Sequence, residues 1–257
     1  MHNKSDSVLY RWGGLAALVA AVVFLCTLVY VFGFLFSLGL TEEMLDNPAT
    51  LLQWVAQHMG AYAGLYWIFL LSVVALFPAP LALHELLKSY HPPLVRIAGA
   101  AGLAGVVLGV IGPLVNVGVT PILAQAYNGA EHADQATLRV LSLIVGEMGL
   151  LLRLSSDLFL GIWLGLNGLV IVQNKATAFS RWFGWYGIGL ALFILVVFVG
   201  KPLNVLDLEP VLGLLLAIAY GWLGFGLLRV SQPERLAKPD ASAPGVARSA
   251  HKPGRLR

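Results

Sequence analysis

Residues 12–40 form a run of 29 amino acids without one charged side chain. About 20 apolar residues suffice to carry a helix across roughly 30 Å of hydrocarbon. The same run exceeds the roughly 7–15 residues of a cleavable signal core, so it reads as a retained span. Five further apolar segments follow, at 61–87, 97–126, 138–172, 182–200 and 210–229. Hydrophobic residues make up 58% of the chain and charged ones 11%, against about 25% charged in soluble domains. That leaves too little polar surface to coat a globule. The expected fold is all-α: a polytopic transmembrane bundle of six spans over 1–230, followed by a tail over 231–257.

The charges orient the bundle. Lys4, Arg11, Lys88, Arg96, Lys175, Arg181 and the end of the chain from Arg229 on share one side, which holds 13 of the 16 Lys and Arg. The opposite connections carry Glu42, Glu43, Asp46, Glu131, Asp134, Asp207 and Glu209. Lys and Arg concentrate in cytoplasmic loops, so both termini are expected in the cytoplasm. Trp12, Trp182, Trp185 and Tyr186 fit an aromatic belt at that interface. The tail is rich in Pro, Ala, Ser and basic residues, lacks apolar periodicity and is expected to be disordered. Its six Lys and Arg suit anionic lipid headgroups.

Between spans one and two, Asn47-Pro48 reads as an N-cap followed by a first-turn proline. The helix after it, with Leu51, Leu52, Trp54, Val55 and Met59, is expected to lie along the membrane surface or to cap the bundle. Pro78 and Pro80 predict a kink in span two.

Three helix openings are alike: Arg11-Trp-Gly-Gly14, Arg96-Ile-Ala-Gly99 and Arg181-Trp-Phe-Gly184, with 85 residues between successive arginines. Gly112-Pro-Leu-Val-Asn-Val117 is also similar to Gly200-Lys-Pro-Leu-Asn-Val205. The spacing allows three parallel two-helix hairpins. It equally suits a common way of starting a span. Small residues at spacings of three and four on span three (glycines 102, 105, 109, 112), span four (glycines 161, 165, 168) and span six (glycines 213, 221, 224, with Ala217 between) predict close helix contacts.

Span four also holds Glu147, Arg153 and Asp157. Arg153, Asp157, Gly161 and Gly165 follow at intervals of four, which predicts a common face turned into the bundle. Intramembrane charges mark functional sites by default. Asn116 on span three, and Lys201 and Asn204 at the end of span five, fall at the same depth. Two readings stand. Asn116, Glu147, Arg153, Asp157, Lys201 and Asn204 line an outward-facing ligand pocket, or Arg153 and Asp157 form a structural ion pair.

Cys26 is the single cysteine, so no internal disulfide and no Cys-based metal site can form. Of six histidines only His84 falls within a span, which argues against a membrane diheme site. His84 and Glu85 fit the cytoplasmic interface near Lys88. No phosphate-binding loop, His-Glu-x-x-His or Gly-x-Ser-x-Gly motif occurs. Neither a cofactor, a metal nor a nucleic-acid partner is expected.

Gly161-Ile-Trp-Leu-Gly-Leu-Asn-Gly-Leu-Val-Ile-Val172, Ser180-Arg-Trp-Phe-Gly-Trp-Tyr-Gly187 and Arg11-Trp-Gly-Gly-Leu15 together resemble a group of uncharacterised bacterial six-span membrane proteins. Members often carry Leu-Pro before the Arg-Trp pair, where Phe179-Ser180 stands here. The resemblance covers the spans and not the tail. It implies an architecture and a bacterial inner-membrane location, and it assigns no residue roles.

Three functions follow as expectations. The first is binding or transport of a small solute or lipid through the outer pocket. The second is a non-catalytic accessory protein with a membrane partner. The third is a membrane enzyme using Glu147 or Asp157 as an acid–base group. Topology is tested with single cysteines in a Cys26→Ser background in intact cells. A membrane-impermeant maleimide should label Ala130→Cys and spare Ser180→Cys. The reverse pattern would invert the orientation.

Overall fold

The computed structural model describes residues 4–174, 177–201 and 208–232. The tail, Asn204 and Asp207 lie outside the described residues. Among those described the chain is helical with no strand: α1 (Lys4–Val29), α2 (Glu42–Asp46), α3 (Pro48–Gln57), α4 (Met59–Leu76), α5 (Pro78–Leu87), α6 (Pro92–Gly129), α7 (His132–Gln173), α8 (Arg181–Gly200) and α9 (Glu209–Val230). A π-helical segment, Tyr30–Leu35, extends α1. Among the described residues six stretches are long and apolar enough to cross a membrane: Ser7–Leu35, Met59–Leu87, Pro92–Gly129, Asp134–Gln173, Arg181–Gly200 and Val211–Val230. The fold is the expected six-span helical bundle.

Span one begins earlier than its apolar run suggests, because helix continues through Ser5, Asp6 and Ser7 on the polar side. It stops at Gly39, whose φ of 84° suits a residue without a side chain. The Leu40 amide bonds to the Leu35 carbonyl at 3.2 Å and the Gly39 amide to the Phe36 carbonyl at 3.0 Å, a Schellman ending. Span two breaks at Phe77 into α4 and α5, since Pro78 and Pro80 cannot continue the backbone ladder. In α6, Pro113 and Pro121 are absorbed without interruption. The Asn47 side chain accepts from the Ala49 amide at 3.0 Å. The amphipathic α3 then buries Leu52, Trp54 and Val55 against α6 and α7. The Trp54 indole N–H donates to the Leu38 carbonyl at 3.1 Å. This packing makes the helix a cap on the acidic end of the bundle.

The spans pack as a ring in chain order, with span six returning to span one. The joint between α8 and α9 is the lightest. It is made near the basic end, where the Tyr186 hydroxyl donates to the Leu215 carbonyl at 2.7 Å. Glycine sets the close joints. A Cβ on Gly168 would come within 2.5 Å of the Gly184 carbonyl, and one on Gly184 within 2.8 Å of the Gly168 carbonyl. Gly14 and Gly224 meet in the same reciprocal way, at 2.9 and 2.8 Å. Gly102 and Gly105 receive Trp163 and Leu160 of α7. The half of the ring near the basic end is filled by Ala79, Ala82, Leu83, Leu87, Trp163, Leu223 and Leu227, each fully buried.

Gly168→Val should destabilise the bundle by roughly 1–3 kcal/mol, the range for forced overpacking. Gly189→Val, where no atom lies within 4 Å of the added Cβ, should be near neutral. Equilibrium unfolding in mixed micelles measures both.

Candidate polar cavity at the acidic end

The half of the ring near the acidic connections is not filled. It holds a half-open cavity of about 520 Å³, within the roughly 300–1,000 Å³ of small-molecule sites. Of the six residues singled out from the sequence, Asn116, Arg153, Asp157 and Lys201 line it. Asn204 lies outside the described residues. Glu147 is exposed and does not line the cavity, which corrects its expected place. Successive helical residues turn by about 100°. Glu147 is therefore about 200° from Gly149, whose side of α7 faces Asn116.

The expected common face of Arg153, Asp157, Gly161 and Gly165 also turns along α7. Steps of four drift by about 40° each. Arg153 and Asp157 look into the cavity, whereas Gly161 and Gly165 meet Ile194 and Ala191 of α8.

Each polar group is held by local packing. Asn116 is buried. Its amide donates to the Gly112 carbonyl at 3.1 Å, and its Oδ1 accepts from the Tyr62 hydroxyl at 3.4 Å. A Cβ at position 149 would collide with that amide, so Gly149 is what admits Asn116 between α6 and α7. The hydroxyls of Tyr62 and Tyr66 stand 3.4 Å apart, and Tyr66 also lines the cavity. Pro113 has no N–H for the Gly109 carbonyl, and both residues lie in the wall. Arg153 sits close enough to act electrostatically on Asp157 and on Tyr66. The pair is thus part of a lined cavity, and its two charges are neighbours in it.

Asp157 marks the floor. It borders the cavity and also a recess of about 20 Å³ shared with Ser72, Ser156 and Tyr220, room for about one water. Around that recess the hydroxyls turn to backbone: Ser156 donates to the Gly105 carbonyl at 2.7 Å and Ser72 to the Ala20 carbonyl at 3.0 Å.

The opposite wall escaped the sequence reading. Phe24, Leu28 and Phe32 of span one, Leu65 and Phe69 of α4, and Leu212 and Leu216 of α9 make it apolar. Phe32 and Leu35 belong to the π-helical segment, a local irregularity frequent at functional sites. That segment is tied to α4 where the Tyr30 hydroxyl donates to the Ala61 carbonyl at 3.1 Å. Nothing in an apolar run distinguishes a cavity wall from a lipid face, so only a break in helical register could have signalled it. At the basic end, His84 Nδ1 lies 3.2 Å from the Val95 carbonyl, and Glu85 forms a salt bridge with Lys88. Both residues lie in the last turn of α5, at the basic end of span two. Among the described residues no cluster of three or more His, Cys, Asp or Glu could hold a metal ion.

Fold and cavity together define a six-span integral membrane protein with a charged chamber in one half of a helix ring. The profile of DUF4386, a domain of unknown function, matches residues 19–230, and the chain belongs to that family. No curated protein and no solved structure shows significant similarity to it.

Entry of water from the acidic end can be measured directly. In a Cys26→Ser background, Thr27→Cys in the cavity wall should react with a small charged thiosulfonate. Ser72→Cys, below the floor, should react at least about tenfold more slowly. Equal rates would show that the chamber does not end at Asp157.

Proposed function

We propose that the protein binds a small solute or lipid in this chamber from the outer face of the bacterial inner membrane, as a receptor or the binding stage of a transporter. The carrying observation is convergence. Asn116, Arg153, Asp157 and Lys201 come from two different spans and the end of a third, yet all border one space. Charged side chains inside a bilayer cost roughly 2.5–3.5 kcal/mol each on insertion scales. A protein that needed only to pack would fill the space with apolar side chains, as this one does in its other half. The outward orientation rests on the distribution of Lys and Arg, with both termini in the cytoplasm.

Of Glu147 and Asp157 only Asp157 lines the chamber, so an enzymatic reading rests on that one carboxylate. The accessory reading, with a membrane partner and the basic tail on anionic lipid, uses surfaces away from the chamber and leaves its charges without a role.

Native mass spectrometry of the gently purified chain tests the binding reading. Wild type should carry a small-molecule adduct. Thr27→Trp, which fills the chamber, should lose it. Leu195→Trp, on a face 47% exposed, should keep it. An adduct that survives Thr27→Trp, or none on wild type, would contradict the reading.

A further inference from the structure

The chamber is divided by chemistry along its depth, and that division names a ligand class. We propose that it takes a zwitterionic amphiphile: a primary ammonium at the floor, a phosphate one helical turn above it, and an acyl chain leaving through the side of the ring. This rests on the binding reading above and specifies the ligand of the same chamber.

The floor selects a cation. Asp157 is the acid that lines the cavity among the described residues. Phe24 and Phe69 flank the same level, with ring centroids 5.8 Å apart. A carboxylate bordering the same space as two aromatic rings suits an ammonium group, which gains from the charge and from a ring face. A carboxylate offers about four acceptor positions, so Asp157 can keep Arg153 as a neighbour and still accept from a ligand.

The next level selects an anion. Arg153 stands one turn from Asp157, about 6 Å along the axis at 1.5 Å per residue. Lys201 enters at the end of α8. Arg153 has five N–H donors and Lys201 three, so each can serve a ligand while keeping a partner within the protein. Arginine's planar fork fits a phosphate in bidentate fashion. The separation of floor and cation matches a headgroup in which a short linker joins ammonium to phosphate.

The apolar wall supplies the third element. It does not close on itself. Phe32 is 50% exposed and Leu45 is 53% exposed, yet both line the cavity. The wall therefore runs out onto the surface between the π-helical end of span one and α2. A polar solute has no use for that continuity, whereas an acyl chain does. An ethanolamine-type phospholipid meets all three requirements. A free apolar amino acid shares the zwitterion but lacks the chain, and the test separates the two sources.

Binding is measured on the full chain in zwitterion-free detergent with four probes: lysophosphatidylethanolamine, lysophosphatidylglycerol of the same chain length, glycerophosphoethanolamine and leucine. Lysophosphatidylethanolamine should bind at least about tenfold more tightly than each of the others. Asp157→Asn should weaken it by about tenfold, the loss of one charge-assisted hydrogen bond, and should leave lysophosphatidylglycerol unchanged. Arg153→Gln should weaken both lysolipids. The headgroup comparison on wild type decides even if a variant fails to fold. Equal binding of the two lysolipids, or leucine binding as tightly as lysophosphatidylethanolamine, overturns the proposal. If a chamber-dependent adduct is present on the purified chain but the lysolipids are not distinguished, the binding reading survives and this ligand class does not.

Discussion

Water cannot follow a helix into hydrocarbon, and this architecture depends on that. Every backbone donor and acceptor must be satisfied within the protein, and every charge must turn away from lipid. Helices meet the first demand. The ring meets the second by giving charged side chains an interior to face. Lipid supplies no hydrophobic pull between spans, so their association relies on close contact. Glycine provides it. Where Gly14 meets Gly224 and Gly168 meets Gly184, backbone lies against backbone, and no side chain could be inserted without parting the helices.

The three similar helix openings gain a physical explanation from these contacts. Gly14, Gly99 and Gly184 hold the fourth position of each opening. Gly14 faces span six, Gly99 faces His84 of span two, and Gly184 faces span four. Each odd span therefore begins by pressing a glycine against the span that precedes it around the ring. The arginine at the head of each motif sits at the basic end, and the glycine three residues later makes the joint. A common packing requirement accounts for the pattern, whatever its ancestry.

Much of this was legible because hydrophobic length and charge asymmetry act over whole segments. The six spans, the Asn47-Pro48 cap and the break at Pro78 follow from local chemistry, and all are found. The charged wall was legible in part. Arg153 and Asp157 stand out in an apolar run, and Asn116 and Lys201 could be placed by counting residues from the interface. Glu147 was misplaced because depth was counted and azimuth was not: a residue at the right level can point to the wrong side. The apolar wall was invisible because Phe24 and Phe32 carry the same chemistry whether they face lipid or a ligand. Their role depends on where the ring closes, which is a property of all six spans together.

The two halves of the ring differ in one respect. Near the basic end large side chains such as Trp163 and Leu223 fill the interior. Near the acidic end glycines 109, 112, 149 and 213 border the space, and the volume they vacate stays open. Small residues there serve two ends, close approach of helices and room for a ligand. The most direct test of the chamber is an electron cryomicroscopy structure of the full chain in a lipid nanodisc, with a bound antibody fragment as fiducial. The account predicts density between spans one, two, three, four and six that touches both Arg153 and Asp157. A collapsed interior, with span one packed against span four and Arg153 turned to the bilayer, would contradict it.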